Sequence, residues 1–292
     1  MAVAKQMQYA ETSAFLYPTL SPSQITGLTA QFLAATPCPY VEIKDFLTLR
    51  PSEVLPTFPS VDWPHWSQFR NVYQHQKMFC NDIDLIPPTL AKLIQELCSP
   101  KFLQFMEGVT GISGLIPDPY LEGGGLHCSG PGGVLAPHTD FHVYTRLHLF
   151  RRVNLLIYLN EEWEQEFGGC LELYDKGSDI PARTLVPTWG NCVIFRTDDN
   201  SVHGFSKPVI GERWRRSIAL YYYTSEDTSS FSGDADTHWK QHGTLSAFGK
   251  GRLALYKGLM FSSRCFSRLA HRVNPHLGSR LVPVAQVDPE KH

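Results

Sequence analysis

Val153-Asn154-Leu155-Leu156-Ile157-Tyr158-Leu159 is the longest nearly unbroken apolar run in the chain, and its length decides how it is read. It suits a buried strand and falls far short of the roughly 20 residues that a membrane-spanning helix needs. Comparable β-type runs follow at 170–174, 192–195 and 218–223, and glycine-rich stretches around Gly123 to Gly125 and Gly130 to Gly133 precede them. Their spacing is too irregular for a propeller, and no helical pattern intervenes to make β-α-β units. An antiparallel sandwich or jelly roll is the expected architecture.

Upstream the texture is helical. Ile25, Leu28, Phe32 and Leu33 fall on one face behind Ser23, which is read as an N-cap. Leu90, Leu93, Ile94 and Leu97 repeat the stripe and stop at Ser99-Pro100, because a proline disfavours helix in the residue before it. Phe102, Phe105, Met106 and Val109 make a third stripe. The organisation expected is a helical N-terminal support region (1–110), a β core (111–225) and a basic C-terminal helical tail (226–292). The stretch 237–287 holds no Asp or Glu but gathers Lys250, Arg252, Lys257, Arg264, Arg268 and Arg272. A solvated helix face or contact with an anionic partner would both account for it.

Composition excludes several classes. A 42% hydrophobic and 18% charged chain, rich in Phe, Tyr and Trp, is not disordered. With 26 basic against 28 acidic residues, its overall field does not recruit nucleic acid. No apolar segment follows the basic residue near the N-terminus, so no secretory signal is expected. The seven cysteines are scattered without a C-x-x-C, which points to reduced thiols and a cytoplasmic location.

The chemistry concentrates in Pro137-His138-Thr139-Asp140. Strand residues two apart point the same way, so His138 and Asp140 can address one point in space. His203, in Ser201-Val202-His203-Gly204, is the candidate third member. Two histidines and a carboxylate on one face form the facial set that holds non-haem Fe(II) with positions left open. Taken alone, the pattern also fits a surface histidine beside a capping aspartate. The strand Arg216-Ser217-Ile218-Ala219-Leu220-Tyr221 weighs against that reading, because an arginine buried in a β core calls for an anion. Asn154 and Tyr158 share a strand face, and with Arg216 they could clamp a small dicarboxylate through charge-assisted hydrogen bonds. A metal with open positions beside such a clamp points to 2-oxoglutarate.

These motifs together resemble the Fe(II)/2-oxoglutarate oxygenases of the prolyl 4-hydroxylase type. The resemblance rests on Gly132-Gly133-Val134-Leu135-Ala136-Pro137-His138-Thr139-Asp140, on Arg152-Val153-Asn154-Leu155-Leu156-Ile157-Tyr158, and on Trp163 followed by Gly168-Gly169. It continues through Pro187-Thr188-Trp189-Gly190, Ser201-Val202-His203-Gly204 and Arg216-Ser217-Ile218, and spans about residues 123 to 224. It implies a double-stranded β-helix, jelly-roll or cupin-like, in a mainly β protein with flanking helices. His138, Asp140 and His203 would be metal ligands; Arg216 would hold the distal carboxylate of 2-oxoglutarate, with Tyr158 and Asn154 nearby.

The implied reaction hydroxylates an unactivated C–H bond of a prolyl residue, an amino acid or a small natural product, giving succinate and carbon dioxide. Fe(II), 2-oxoglutarate and L-ascorbate would be its cofactors. Retention of Asp140 favours hydroxylation over halogenation, because related halogenases replace the carboxylate to admit chloride. The contrasting class is a jelly-roll protein that binds a metal or ligand without turnover. The chain departs from the family in two places. Cys128 stands where the oxygen-sensing members carry a tyrosine, and residues 141–150 follow no prolyl hydroxylase pattern. His142 shares the face of Asp140 and is read as a neighbour of the site or a solvent-facing residue, with His127 and His148 weaker candidates.

Overall fold

Ser21, rather than the expected Ser23, opens the first helix, α1 (Pro22–Ala34). The Gln24 N–H donates to the Ser21 hydroxyl and the Ser21 N–H donates to the Gln24 side chain, so each residue satisfies the other's end group. Pro22 occupies the first helical position, where a missing N–H costs nothing. Ser99 caps a later helix with its side chain alone, accepting from the Phe102 N–H at 3.3 Å. The Ser99-Pro100 pair therefore ends one helix and starts the next.

A computed structural model describes residues 17, 20–68, 73–227 and 237–239, with scattered helical positions between 251 and 273. The chain divides into two units, Met1–His242 and Gly243–His292. Lys250, Arg252, Lys257, Arg264, Arg268 and Arg272 lie outside the described residues.

In the first unit, α1 is followed by β1 (Tyr40–Ile43), α2 (Pro51–Val54), β2 (Ser67–Gln68) and β3 (Gln74–Cys80). Then come α3 (Pro88–Leu97), α4 (Pro100–Thr110), β4 (Ile116–Pro117) and the long β5 (Gly125–Thr139). The remaining strands are β6 (Val143–Tyr144), β7 (Leu149–Tyr158), β8 (Leu171–Tyr174), β9 (Pro181–Leu185), β10 (Cys192–Arg196), β11 (Val202–Phe205), β12 (Arg215–Thr224) and β13 (His238–Trp239). They pair antiparallel in the order β1-β10-β7-β12-β5-β11-β8-β9, with β3 and β13 also on β5. This is the mainly antiparallel jelly-roll architecture expected. The first 110 residues are not purely helical, however. Strands β1 and β3 join the sheet through partners far away in sequence, a pairing that leaves no local signal.

Strand β5 belongs to both halves of the sheet. Its first part, Gly125 to Ser129, pairs with β12; its last part, Leu135 to His138, pairs with β11. Between them lie Gly130 to Gly133, where Gly132 has φ +74, a left-handed conformation that glycine adopts without strain.

Strands β7 and β12 are buried on both faces. Val153, Leu155 and Ile157 of β7, with Ile218, Leu220 and Tyr222 of β12, pack against Leu90, Leu93, Leu97, Phe102 and Met106 of the helices. The opposite face lines the interior of the roll, where Tyr158, Leu171, Leu173, Val193 and Phe195 form a smaller cluster. Phe102 sits at the centre of the helix side, fully buried, with ring centroids of Tyr17 at 5.0 Å and Tyr222 at 6.3 Å. Replacing it by alanine removes its apolar burial and leaves a cavity, at a cost of about 3–5 kcal/mol. Phe102→Ala is thus expected to shift the urea unfolding midpoint well down at unchanged m-value; a shift equivalent to under ~1 kcal/mol would contradict this packing.

Candidate metal centre

His203 on β11 lies directly opposite His138 on β5, and Asp140 follows His138 by two residues. The two rings are 4.5 Å apart, centroid to centroid. One ligand atom from each of His138, Asp140 and His203 lies within 4.8 Å of the other two, and all three residues are buried. Each imidazole is aimed by its own strand: His138 Nδ1 bonds the Ala136 carbonyl and His203 Nδ1 bonds the Ser201 carbonyl, both at 2.9 Å. A carbonyl partner requires a proton on Nδ1, so each Nε2 keeps its lone pair. Both Nε2 atoms stand 3.6 Å from the Asp140 carboxylate. Two neutral nitrogens and one carboxylate facing a common point suit a divalent metal ion. The strands can close this far because residue 204 is glycine; a Cβ there would meet the Leu135 carbonyl oxygen at 2.7 Å.

The carboxylate is itself held. Asn154 Nδ2 donates to Asp140 Oδ2 at 2.6 Å, and the fully buried Arg151 places Nη2 3.2 Å from the same oxygen. Arg151 also donates to Asn154 Oδ1 and stacks on the Tyr221 ring at 3.5 Å. Burial alone would raise the Asp140 carboxyl, but Arg151, His203 and His138 hold it well below its usual range. Burial likewise depresses His203, to about 4, against the opposing pull of Asp140.

A second constellation occupies the interior near Tyr158. Arg215 donates from Nε to the Gly169 carbonyl at 2.6 Å and from Nη2 to the Tyr158 hydroxyl at 3.3 Å. It is Arg215, not the expected Arg216, that enters the roll. Arg216 shares the strand phase of Ile218, Leu220 and Tyr222, which face the helices, and its guanidinium lies 5.6 Å from the Phe58 ring centroid. Asn154 is also reassigned: it shares a face with Tyr158, as expected, but bonds Asp140 and Arg151 instead of joining an arginine clamp.

Residues 124–224 match the family model described as the 2OG-Fe(II) oxygenase superfamily. Over this stretch the chain is similar to the 2OG-Fe(II) oxygenases. A 77-residue segment is 31% identical to mouse prolyl 3-hydroxylase OGFOD1, covering 25% of this chain and 14% of that protein's length. Among solved structures, the chain resembles a prolyl hydroxylase of Trichoplax adhaerens in complex with a hypoxia inducible factor oxygen degradation domain peptide fragment. The TM-score is 0.50 at 18% identity, over 69% of this chain and 90% of that one. A prolyl-4-hydroxylase of Pseudomonas putida gives a TM-score of 0.46 at 17% identity, over 68% of this chain and 98% of that one.

The remaining candidates fall away from the three ligating residues or around their rim. His142 is buried, with Nε2 3.1 Å from Asp227, and is not part of the ligand set. His148 is exposed. Cys128 faces the helices, inside the apolar core, so the interior positions beside it are His127 and Ser129. Cys170 is buried against the Gly168 carbonyl, and burial pushes its thiol to about 11. Sequence reasoning missed Trp239 and also Arg151, which is out of phase with Asn154 in the sequence and joins it through a register shift in the β7–β12 pairing. The Trp239 indole stacks on His138 at 4.7 Å and on Tyr73 at 5.1 Å, and no local pattern announces it.

The depressed His203 gives a pH signature in the metal-free protein. An imidazole in the unfolded chain titrates near 6.5, whereas His203 in the folded domain protonates only near 4. Between those values the unfolded chain binds the extra proton, so His203 makes stability fall as pH drops from about 6.5 to about 4. An NMR titration of the histidine resonances should find the His203 midpoint near 4; a midpoint near 6.5 would contradict its burial.

Proposed function

We propose that this protein is an Fe(II)- and 2-oxoglutarate-dependent dioxygenase that hydroxylates an unactivated C–H bond and releases succinate and carbon dioxide. The observation that carries the reading is the pair of imidazoles tied through Nδ1 to backbone carbonyls, with both Nε2 atoms turned toward one buried carboxylate. The match of residues 124–224 to the oxygenase family supports it independently.

His138, Asp140 and His203 would hold the iron. Bound there, ferrous iron supplies dioxygen activation coupled to oxidative decarboxylation of 2-oxoglutarate. The chain's own residues do the positioning. Arg151 and Asn154 occupy Asp140 Oδ2, fixing the carboxylate's orientation and keeping it ionised. Arg215 and Tyr158 would receive the distal carboxylate of 2-oxoglutarate. Burial pushes the Tyr158 phenol to about 12, so at neutral pH it keeps its proton and can donate it in a hydrogen bond. Phe195 against His203 and Trp239 against His138 wall the ligands with aromatic surface.

A prolyl unit is the first substrate class to test, because the mouse relative is named a prolyl 3-hydroxylase. A free amino acid and a small natural product are the other two classes. The same reading includes ascorbate as the reductant that keeps iron ferrous, and a cytoplasmic location. The free, buried thiols Cys38, Cys80, Cys98, Cys128, Cys170 and Cys192 fit a reducing compartment.

The test is succinate formation by purified protein given Fe(II), ascorbate, 2-oxoglutarate and candidate substrates of the three classes. His203→Ala should abolish turnover and most iron binding while the fold survives, since the core lies in the apolar clusters. Arg215→Ala removes charged hydrogen bonds worth about 1.5–3 kcal/mol, so the KM for 2-oxoglutarate should rise roughly 10- to 150-fold. Arg216→Ala should leave it within about twofold. Iron binding without 2-oxoglutarate-dependent succinate from any class would favour the non-enzymatic metal-binding alternative.

A further inference from the structure

Among the described residues, the interior of the roll holds one more cation than the metal centre and Arg215 account for. Arg215 of β12 lies opposite Ser129 of β5, and Ser129 lies opposite Lys77 of β3. Cross-strand partners project to the same face, so these three residues form one row across three strands. The next row is Ser217, His127 and Phe79. Met78 and Cys80, out of phase with Lys77, pack with the apolar core on the helix side. Lys77 therefore points into the roll on the side of Arg215. Two strand spacings, about 9–10 Å, separate their backbones.

The surroundings of Lys77 are short of anions. The charged groups acting on it are Arg215 and Arg151, both cations, and the Asp140 carboxylate. His127 faces it from β5, its imidazole held well below its usual range by burial and then by Lys77 and Arg215. Asp140 is already engaged by Arg151 and Asn154. No described residue hydrogen-bonds or ion-pairs with the Lys77 ammonium. Burial, followed by Arg215, pushes its pKa down to about 8. Two long cationic side chains converging from alternate strands, one of them unpaired among the described residues, leave a gap that a carboxylate would relieve.

We propose that Lys77 is a second cationic anchor for the distal carboxylate of 2-oxoglutarate, gripping it from the side opposite Arg215. This rests on the cosubstrate reading above and adds a ligand-binding residue from outside the matched stretch. Arg215 alone spends Nε on Gly169 and Nη2 on Tyr158, so a second donor on the far side completes the carboxylate's partners.

The test is calorimetric binding to the full chain loaded with Mn(II), which permits no turnover. Two ligands are compared: 2-oxoglutarate, and 2-oxopentanoate, which has a methyl group in place of the distal carboxylate. Lys77→Met should weaken 2-oxoglutarate on the order of tenfold and leave 2-oxopentanoate within about twofold, while Lys77→Arg retains most of the affinity. Thermal melts check the fold, and Lys77→Gln substitutes if the methionine variant does not fold. Equal weakening of both ligands, or of neither, overturns the proposal. If Arg215→Ala weakens 2-oxoglutarate selectively and Lys77→Met does not, the cosubstrate reading stands and the role of Lys77 falls. If the wild-type protein binds 2-oxoglutarate no better than 2-oxopentanoate, both fall.

Discussion

Burial of β7 and β12 on both faces is the constraint from which the rest follows. A strand alternates its side chains with period two, so a strand covered on both sides must serve two different environments at once. In β7 one phase is Val153, Leu155 and Ile157, which meet the helices; the other is Asn154, Leu156 and Tyr158, which meet the interior. The same division in β12 sends Ile218, Leu220 and Tyr222 outward and Arg215, Ser217 and Tyr221 inward. Polar groups on the inner phase have little water to solvate them, and an unpaired buried charge costs several kcal/mol. Each is accordingly tied down, as is Arg151, which a register shift takes out of the alternation: Arg215 bonds Gly169 and Tyr158, and Arg151 holds Asp140 and Asn154. The electrostatic order of the centre is thus a by-product of double burial.

The second determinant is β5. It carries Ser129 and His127 at one end and His138 at the other, and its glycine segment lets it leave one half of the sheet for the other. His138 and the residues that face Arg215 are therefore set on a single covalent strand. Few intervening side chains are needed to keep them in register. On the opposite side, β11 supplies His203 against His138, with glycine directly after it to allow the close approach.

The sequence disclosed features that are local and withheld those that depend on pairing. The apolar stripes of α3 and α4 were legible because helical period and proline boundaries are written within about a dozen residues. His138 and Asp140 were legible because two-residue spacing alone puts them on one face. The arginine assignment slipped by one residue. Adjacent arginines must point to opposite faces, and choosing between them requires knowing which phase of β12 is interior. The phase was in fact written in the small and polar Ser217 and Ala219, which run with Arg215, against Ile218 and Leu220, which run with Arg216. Lys77 and Trp239 carried no such local mark. Their positions come from pairing with β5, Lys77 with Ser129 and Trp239 with His138, far away along the chain in either direction. Strands β1 and β3 were hidden for the same reason.

Those two strands bear on where the folding module begins. The family match opens at residue 124, yet β1 covers the edge of β10, β3 runs along β5, and α3 and α4 cover the outer face of β7 and β12. A fragment trimmed to the matched stretch would keep His138, Asp140, His203 and Arg215 while presenting bare strand edges and an uncovered apolar face. Such edges invite pairing between chains, so the excised piece would aggregate instead of folding. The unit that evolution can shuffle or an engineer can transplant is therefore longer than the unit that sequence similarity recognises.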